Sequence, residues 1–338
     1  MLKRALIIEK MPCHQEIIPS WVWALTRLGY TVDIVAKAPP HRDISHTMQE
    51  VMALTGFTFI DERQVDLRCY DVILNNSLYP GDMVPNFRPG QKTFSVLHTL
   101  PEKTLAYKDF RTLRHPDHTL LALGPHMHAV VSDPLHAFQS EWAPPIFFGN
   151  PPSIHKNRYT FLVQGTMERF RRNYGCLASL INRFAGDAAN AFEVRLMGDG
   201  GKGVVNWLAP QIDTPHKTRL VAVLNSGYDQ FLAEIRKAGW VMPCVDKSFT
   251  HGYFDRKITS SVMMGIGNCT PLLLHQRLAE IYGLQNRVNC LTYDDAKDSL
   301  SAAFKTALEM PEEDYYRLVA EARQVRLKWL DQLIQAFT

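Results

Sequence analysis

At 338 residues the chain is long for one hydrophobic core and comfortable for two. Its 46% apolar and 21% charged residues are ordinary for a soluble globular enzyme, and a net charge of +3 is too small to argue for nucleic-acid binding. The scattered cysteines (Cys13, Cys69, Cys176, Cys244, Cys269, Cys290) form no CxxC pair, which excludes a disulfide framework or zinc site and points to reduced thiols in the cytoplasm.

The chain opens on MLKRALIIEK, whose apolar run from Ala5 to Ile8 is too short for a signal peptide and predicts a buried first strand. No stretch approaches the roughly eighteen consecutive apolar residues of a membrane span. A polar loop, Glu9 to Glu16, leads to a helix predicted over Pro19 to Leu28, with Pro19 acceptable in its first turn. Gly29 stops that helix, and Thr31 to Ala36 is the second strand. This βαβ unit lacks GxGxxG, which disfavours a dinucleotide turn here. Further strands are predicted at Thr58 to Ile60, Asp71 to Leu74, Thr93 to Leu97, around Ala129 to Val131, and at Ile146 to Phe148. Strands alternating with helices predict a doubly wound sheet that binds ligands beyond the strands' carboxyl ends.

Two loops at those ends carry chemistry: Cys13-His14-Gln15 after the first strand, and His98 to Glu102 after TFSVL. The basic, histidine-rich segment Lys103 to His128 reads as a solvated loop. Its histidines (His115, His118, His126, His128) lack the acidic or cysteine partners of a metal site, so no metal is expected. Weak membrane-surface contact through Lys103, Lys108, Arg111 and Arg114 is left open, without an amphipathic stripe to support it.

Gly149-Asn150-Pro151-Pro152 is the predicted linker, and the pattern restarts beyond it. Domains are expected at 1–150 and 151–312, with a C-terminal helix over 313–338 near their junction. The second half repeats strand, loop and helix, with strands at Tyr159 to Gln164, Glu193 to Met197, Leu220 to Leu224, Trp240 to Val245 and Leu272 to Leu274. Loops rich in glycine, hydroxyls or arginine leave the strand ends: Gly165-Thr166, Arg171-Arg172, Gly198-Asp199-Gly200 and Lys257 to Ser261. Arginine offers a bidentate fork to a diphosphate, lysine a point charge, and a helix N-terminus its free N–H groups. Together these loops predict a phosphate site. The tail, Glu312 to Phe337, has helical amphipathic spacing.

These residues resemble the GT-B glycosyltransferases, and the second half is similar to family-4-type (group 1) members. VQGTMERFRRNY stands where that family binds the donor diphosphate, FEVRLMGDGG resembles its strand ending in Gly-Asp-Gly, and KITSSVMMGIGNCTPLLL resembles its donor loop, helix and strand. Residues 150–310 carry the likeness, while the first half matches only in pattern. One departure stands out: of the family's two glutamates, the first position falls near Asp255 or Arg256 and the second near Met264.

The resemblance implies an α/β fold of two Rossmann-like domains facing across a cleft. It implies a cytoplasmic enzyme moving a sugar from a UDP- or GDP-type donor to a hydroxyl of a glycan, lipid-linked or small-molecule acceptor. The donor is a substrate, and no cofactor, metal or nucleic acid is implied. Gly165, Thr166, Arg171, Arg172, Lys257, Thr259, Ser260 and Ser261 would hold the diphosphate. Gly198, Asp199, Gly200, Asp255 and Ile258 would meet nucleoside or sugar. His98 would be the base in an inverting enzyme, and a sugar contact in a retaining one, with His14, Gln15 and Glu102 on the acceptor side. Hinge motion at Gly149 to Pro152 is expected. Self-association, anomeric outcome and sugar identity stay open. So do two other readings, a non-catalytic GT-B-like subunit that binds a partner glycosyltransferase and a sugar-nucleotide epimerase with acid/base carboxylates among Glu9, Glu16 and Glu102.

Overall fold

The apolar run after Arg4 becomes an interior strand of a parallel sheet, as a strand buried on both faces should. In the computed structural model, which describes residues 3–11, 14–36, 44–78, 90–100, 114–134, 138–146, 155–186, 191–249 and 252–338, the chain forms two units. One comprises Met1–Asn150, Asp255–Ile258 and Lys328–Thr338; the other comprises Pro151–Phe254 and Thr259–Leu327.

In the first unit, β1 (Lys3–Glu9) is followed by α1 (Ile18–Arg27), β2 (Tyr30–Ala36), the short α2 (Ile44–His46), β3 (Phe57–Phe59) and β4 (Val72–Asn75). Then come β5 (Lys92–Leu97), β6 (His118–Ala122), α3 (Pro125–Val131) and β7 (Gln139–Trp142). The strands are parallel in the order β3-β2-β1-β4-β5-β6-β7. That order reverses between β1 and β4, so the crevice at their carboxyl ends is the natural ligand position. Helix α1 buries Trp21, Val22 and Leu25 and ends at Gly29, whose φ of 85° suits a residue without Cβ. Phe337 closes the core edge-on to Trp21 and Phe94, at 5.9 and 5.0 Å between ring centroids.

Two expectations fail in this unit. Ala129 to Val131 is helix, because Pro125 starts α3 behind Gly124, and the strand is the apolar HTLLA just upstream. Of the loop expected over Lys103 to His128, residues 103–113 lie outside the described residues, while His118–Ala122 is strand and Pro125 onward is helix. A strand stands at Gln139–Trp142, and Phe147 and Phe148 of the predicted Ile146 to Phe148 lie outside the described residues. Lys103, Lys108, Arg111 and the Gly149 to Pro152 linker lie outside the described residues.

In the second unit, β8 (Asn157–Gln164), α4 (Gly175–Phe184), β9 (Glu193–Gly198), α5 (Lys202–Leu208), β10 (Leu220–Leu224), α6 (Tyr228–Lys237) and β11 (Ala238–Val241) repeat the same pattern. α7 (Ser260–Gly267), β12 (Leu272–His275), α8 (Gln276–Ile281), β13 (Cys290–Tyr293), α9 (Ser299–Glu309) and the part of α10 (Glu312–Gln335) up to Leu327 complete it, the rest of α10 belonging to the first unit. The parallel order is β10-β9-β8-β11-β12-β13, with its reversal between β8 and β11. Strand β11 stops short of the predicted Val245 because Pro243 has no N–H to continue the ladder. The core centres on Phe161, which lies parallel to Trp240 and 4.2 Å from the Phe304 ring centroid. Phe161→Ala should cost about 3–5 kcal/mol of unfolding free energy, read from the midpoint of a denaturant titration; a shift under about 1 kcal/mol would show that this cluster is not the core.

Candidate functional site

The two sheet reversals place two polar clusters at strand carboxyl ends, one in each unit.

In the second unit the cluster is built on two glycines. Gly198 ends β9 with φ of 155°, and a Cβ there would lie 2.0 Å from the Gly165 carbonyl oxygen. The loops after β8 and β9 are thereby laid side by side: Gly165 N donates to Met197 O at 2.9 Å, and Met167 N to Asp199 O at 3.1 Å. Gly200 N is held in turn by the Asn225 Oδ1, 3.2 Å away. The predicted Gly198-Asp199-Gly200 turn is thus the backbone support of the loop that begins at Gly165.

That loop carries Arg172, which is 3% exposed. Its Nη1 donates to Pro243 O at 2.7 Å, while its Nη2 lies 2.6 Å from where a Gly165 Cβ would stand. Glycine suits position 165 on two counts, a φ of 120° and a guanidinium packed over its Cβ position. The Tyr174 hydroxyl lies near the guanidinium, but the geometry of a hydrogen bond is not met and the Arg172 Nε keeps no partner. A buried cation with an unmet N–H fits an anion able to answer it. Arg171 is placed differently: it pairs with Glu168 and lies near Tyr253, and those partners outweigh burial to hold its pKa above the usual value.

The N-terminus of α7 meets the same loop. Gln164, the last residue of β8, donates through Nε2 to the hydroxyls of Ser260 and Ser261, each at 3.1 Å. Thr259 is the N-cap, yet its side chain makes no cap bond, and the buried Oγ1 has no partner. An uncapped first turn with an unmet buried hydroxyl beside it is a ready anion site. Gln164 thus ties Ser260 and Ser261 to the start of the loop in which Gly165 and Arg172 pack together, and Thr259 is the residue before them.

Asp255, Lys257 and Ile258 belong by their contacts to the first unit. Lys257 bridges Thr99, its carbonyl lies 3.1 Å from His126 Nε2, and Ile258 packs on the cluster of Leu97 and Leu100.

The first unit's cluster lies at the ends of β1, β4 and β5. His14, in the left-handed region at φ of 67°, stacks on His98 with ring centroids 3.8 Å apart. The His98 Nε2 is 2.7 Å from Asn76 O; a carbonyl only accepts, so Nε2 carries the proton and Nδ1 the lone pair. Asn76 organises the cluster: Nδ2 donates to Glu9 Oε2 at 2.5 Å and to His14 O at 2.9 Å, and Oδ1 accepts from Trp21 Nε1. Ser77 Oγ and Met11 N also donate to Glu9, at 2.7 and 2.8 Å. Burial raises the Glu9 pKa against these donors, but both its oxygens are engaged, which argues against the acid/base carboxylate an epimerase needs.

Burial, reinforced by the charge of His14, pushes His98 down to about 3. Burial pushes Glu16 up, but His14 and then His98 outweigh it and hold that carboxyl low. A neutral imidazole so weakly basic suits orienting a hydroxyl better than removing its proton. Gln15 is buried in the same turn. Glu102 lies outside the described residues. Asn76 and Ser77 escape sequence reasoning, although Asn75-Asn76-Ser77 directly after the apolar DVIL was a readable signal. The neighbouring histidines serve separately: His118 is buried beside Thr93 Oγ1 at 2.8 Å, and His128 lies 3.2 Å from Ser140 O.

Because the folded pKa of His98 lies below the unfolded value of about 6.5, its contribution is full above that pH and is lost as pH falls toward about 3. The melting temperature should therefore fall between about pH 7.5 and pH 5, and His98→Gln should lessen that fall. Equal falls in thermal melts of the two proteins would contradict a buried, neutral His98.

No family model matches the chain, and a comparison with curated protein sequences finds no match either. Solved structures do match. A glycosyltransferase from Rickettsia africae is 9% identical, with 98% of this chain and 96% of that one covered, at a TM-score of 0.65. Sucrose-phosphate synthase from Thermosynechococcus elongatus is 12% identical over 98% and 97% of the chains, at 0.60. Anabaena HepE in complex with UDP and glucose is 11% identical over 99% and 98%, at 0.59. At such identities the likeness establishes the fold, which is GT-B: two Rossmann-like α/β domains. Among the described residues no helix is long and apolar enough to cross a membrane.

Proposed function

We propose, from a GT-B fold with a buried, incompletely partnered arginine beside a helix N-terminus, that the chain transfers a glycosyl group from a nucleotide-diphosphate sugar to a hydroxyl acceptor. The observation that carries this is Arg172, whose Nε is unmet in the loop that follows Gln164, the residue bonded to Ser260 and Ser261. A similar fold holding UDP and glucose, Anabaena HepE, supports it.

In the reaction the acceptor oxygen bonds to the anomeric carbon as the bond from that carbon to the β-phosphate oxygen breaks. The diphosphate leaves with one more negative charge, and the acceptor proton passes to a base or to the departing phosphate. In this reading Arg172, the first-turn N–H groups of α7 and the hydroxyls of Thr259 to Ser261 stabilise that charge as it develops. Arg171, held by Glu168, steadies the loop. Gly198 to Gly200 shape the nucleoside side through Asn225. In the first unit, His98 presents Nδ1 as an acceptor for a sugar or acceptor hydroxyl, with His14 and Gln15 beside it. Lys257 is a further candidate contact of the phosphates, and Asp255 and Ile258 of the sugar. These groups supply the positive potential that a divalent cation would otherwise bring, so donor turnover is expected to persist in EDTA.

A second reading, a GT-B-like subunit that binds a partner glycosyltransferase without turning over donor, is favoured by one observation. Met264, where the resemblance calls for a glutamate, is buried at 2% exposure in α7. Turnover and binding separate the two. UDP should bind the wild type, and Arg172→Ala should weaken it by about 10- to 100-fold in calorimetry, the range for a buried charge-assisted hydrogen bond. Slow hydrolysis of a UDP- or GDP-sugar supports transfer, and binding without any turnover favours the subunit. Unchanged UDP affinity in Arg172→Ala would remove the proposed site.

A further inference from the structure

The carboxyl end of α7 is built as unusually as its N-terminus. Lys156, just before β8, has its ammonium buried, with the residue 8% exposed. All three of its N–H bonds go to neutral oxygens: Arg236 O at 2.9 Å, Asn268 O at 2.9 Å and Thr270 Oγ1 at 2.8 Å. Asn268 is the C-cap of α7, and Arg236 lies in the last turn of α6. The ammonium therefore sits on the negative ends of two helices at once. Arg326 of α10 adds a second cation there, donating from Nε to Gly267 O at 2.9 Å. Between these cations and the N-terminal anion site runs a helix whose residues from Ser261 to Gly267 are all buried.

We propose that Lys156 is a positioning residue of the donor site that acts through α7, fixing the helix's carboxyl end and adding its charge to the field at Thr259 to Ser261. This rests on the reading of that site as a diphosphate site.

Eight helical residues span about 12 Å. Unit charges about 12 Å apart at an effective dielectric of about 20 attract by an amount worth about tenfold in affinity. The effect is large enough to measure because buried α7 leaves little room for water to screen it. The charge is also titratable. Burial holds the Lys156 pKa down to about 7, with the Cys269 thiol opposing and Arg236 of α6 adding to the fall. From α10, Arg323 and Arg326 face the same Cys269. The ammonium is charged below about pH 7 and loses its charge as pH rises through that value.

The test is UDP titration calorimetry on the full chain, comparing wild type with Lys156→Met. The ionisation of UDP is common to both proteins and cancels in the ratio of their affinities. The wild type should bind UDP about tenfold tighter at about pH 6, and the advantage should shrink toward one by about pH 8.5. A purely structural lysine would give a ratio independent of pH, and that result, or a ratio of one at pH 6, overturns the proposal. If Lys156→Met does not fold, Thr270→Val keeps the lysine and removes one acceptor of its charged form. Its affinity for UDP should then begin to fall at a lower pH than in the wild type, and an unchanged pH profile overturns the proposal. UDP that binds Arg172→Ala as well as the wild type would instead bring down the diphosphate reading itself, and this proposal with it.

Discussion

A side chain at position 198 would meet the Gly165 carbonyl oxygen at 2.0 Å, and the second unit's site depends on that approach. With two glycines back to back, the loops after β8 and β9 share backbone hydrogen bonds, and Gly165 leaves its Cβ position to the Arg172 guanidinium. Arg172 then reaches Pro243, two residues beyond β11, across the reversal of strand order where parallel α/β sheets open a crevice. Gln164 ties the same corner to Ser260 and Ser261. Two missing side chains thus allow one buried charge, and that charge is left partly unanswered by protein.

The two units treat their buried polar groups in opposite ways. In the first, Glu9 is met on both oxygens, Asn76 is satisfied on both amide atoms, and His98 is held neutral. Such a satisfied network is rigid, and suits orienting neutral hydroxyls. In the second, Arg172 and Thr259 keep unmet polar atoms beside a helix N-terminus. Unmet donors in a positive field suit an anion. The proposed glycosyl transfer has a use for each environment, one for a neutral hydroxyl and one for a departing diphosphate.

Much of this was readable in the sequence. Ala5 to Ile8, Leu220 to Leu224 and Leu272 to Leu274 are apolar runs that match buried parallel strands, and the loops at Gly165, Gly198 and Thr259 were picked out by their glycines and hydroxyls. What was hidden has physical reasons. β6 escaped because HTLLA sits among histidines that suggested a solvated loop, and Gly124-Pro125 starts a helix where a strand was expected. β11 ends early because Pro243 has no N–H. Arg171 and Arg172 are adjacent and chemically alike in sequence, and only the fold shows that one is matched by Glu168 while the other is buried with an unmet N–H. Lys156 lies in a polar stretch and gives no local signal, since its three acceptors are distant along the chain.

The central claim is that the open donors of Arg172 and the first turn of α7 receive a diphosphate. A crystal structure of the chain with UDP bound tests it most directly. The account predicts phosphate oxygens within about 3 Å of the Arg172 guanidinium and of the N–H or hydroxyl groups of Thr259 to Ser261. UDP bound elsewhere, with Arg172 and Thr259 still unmet, would contradict it.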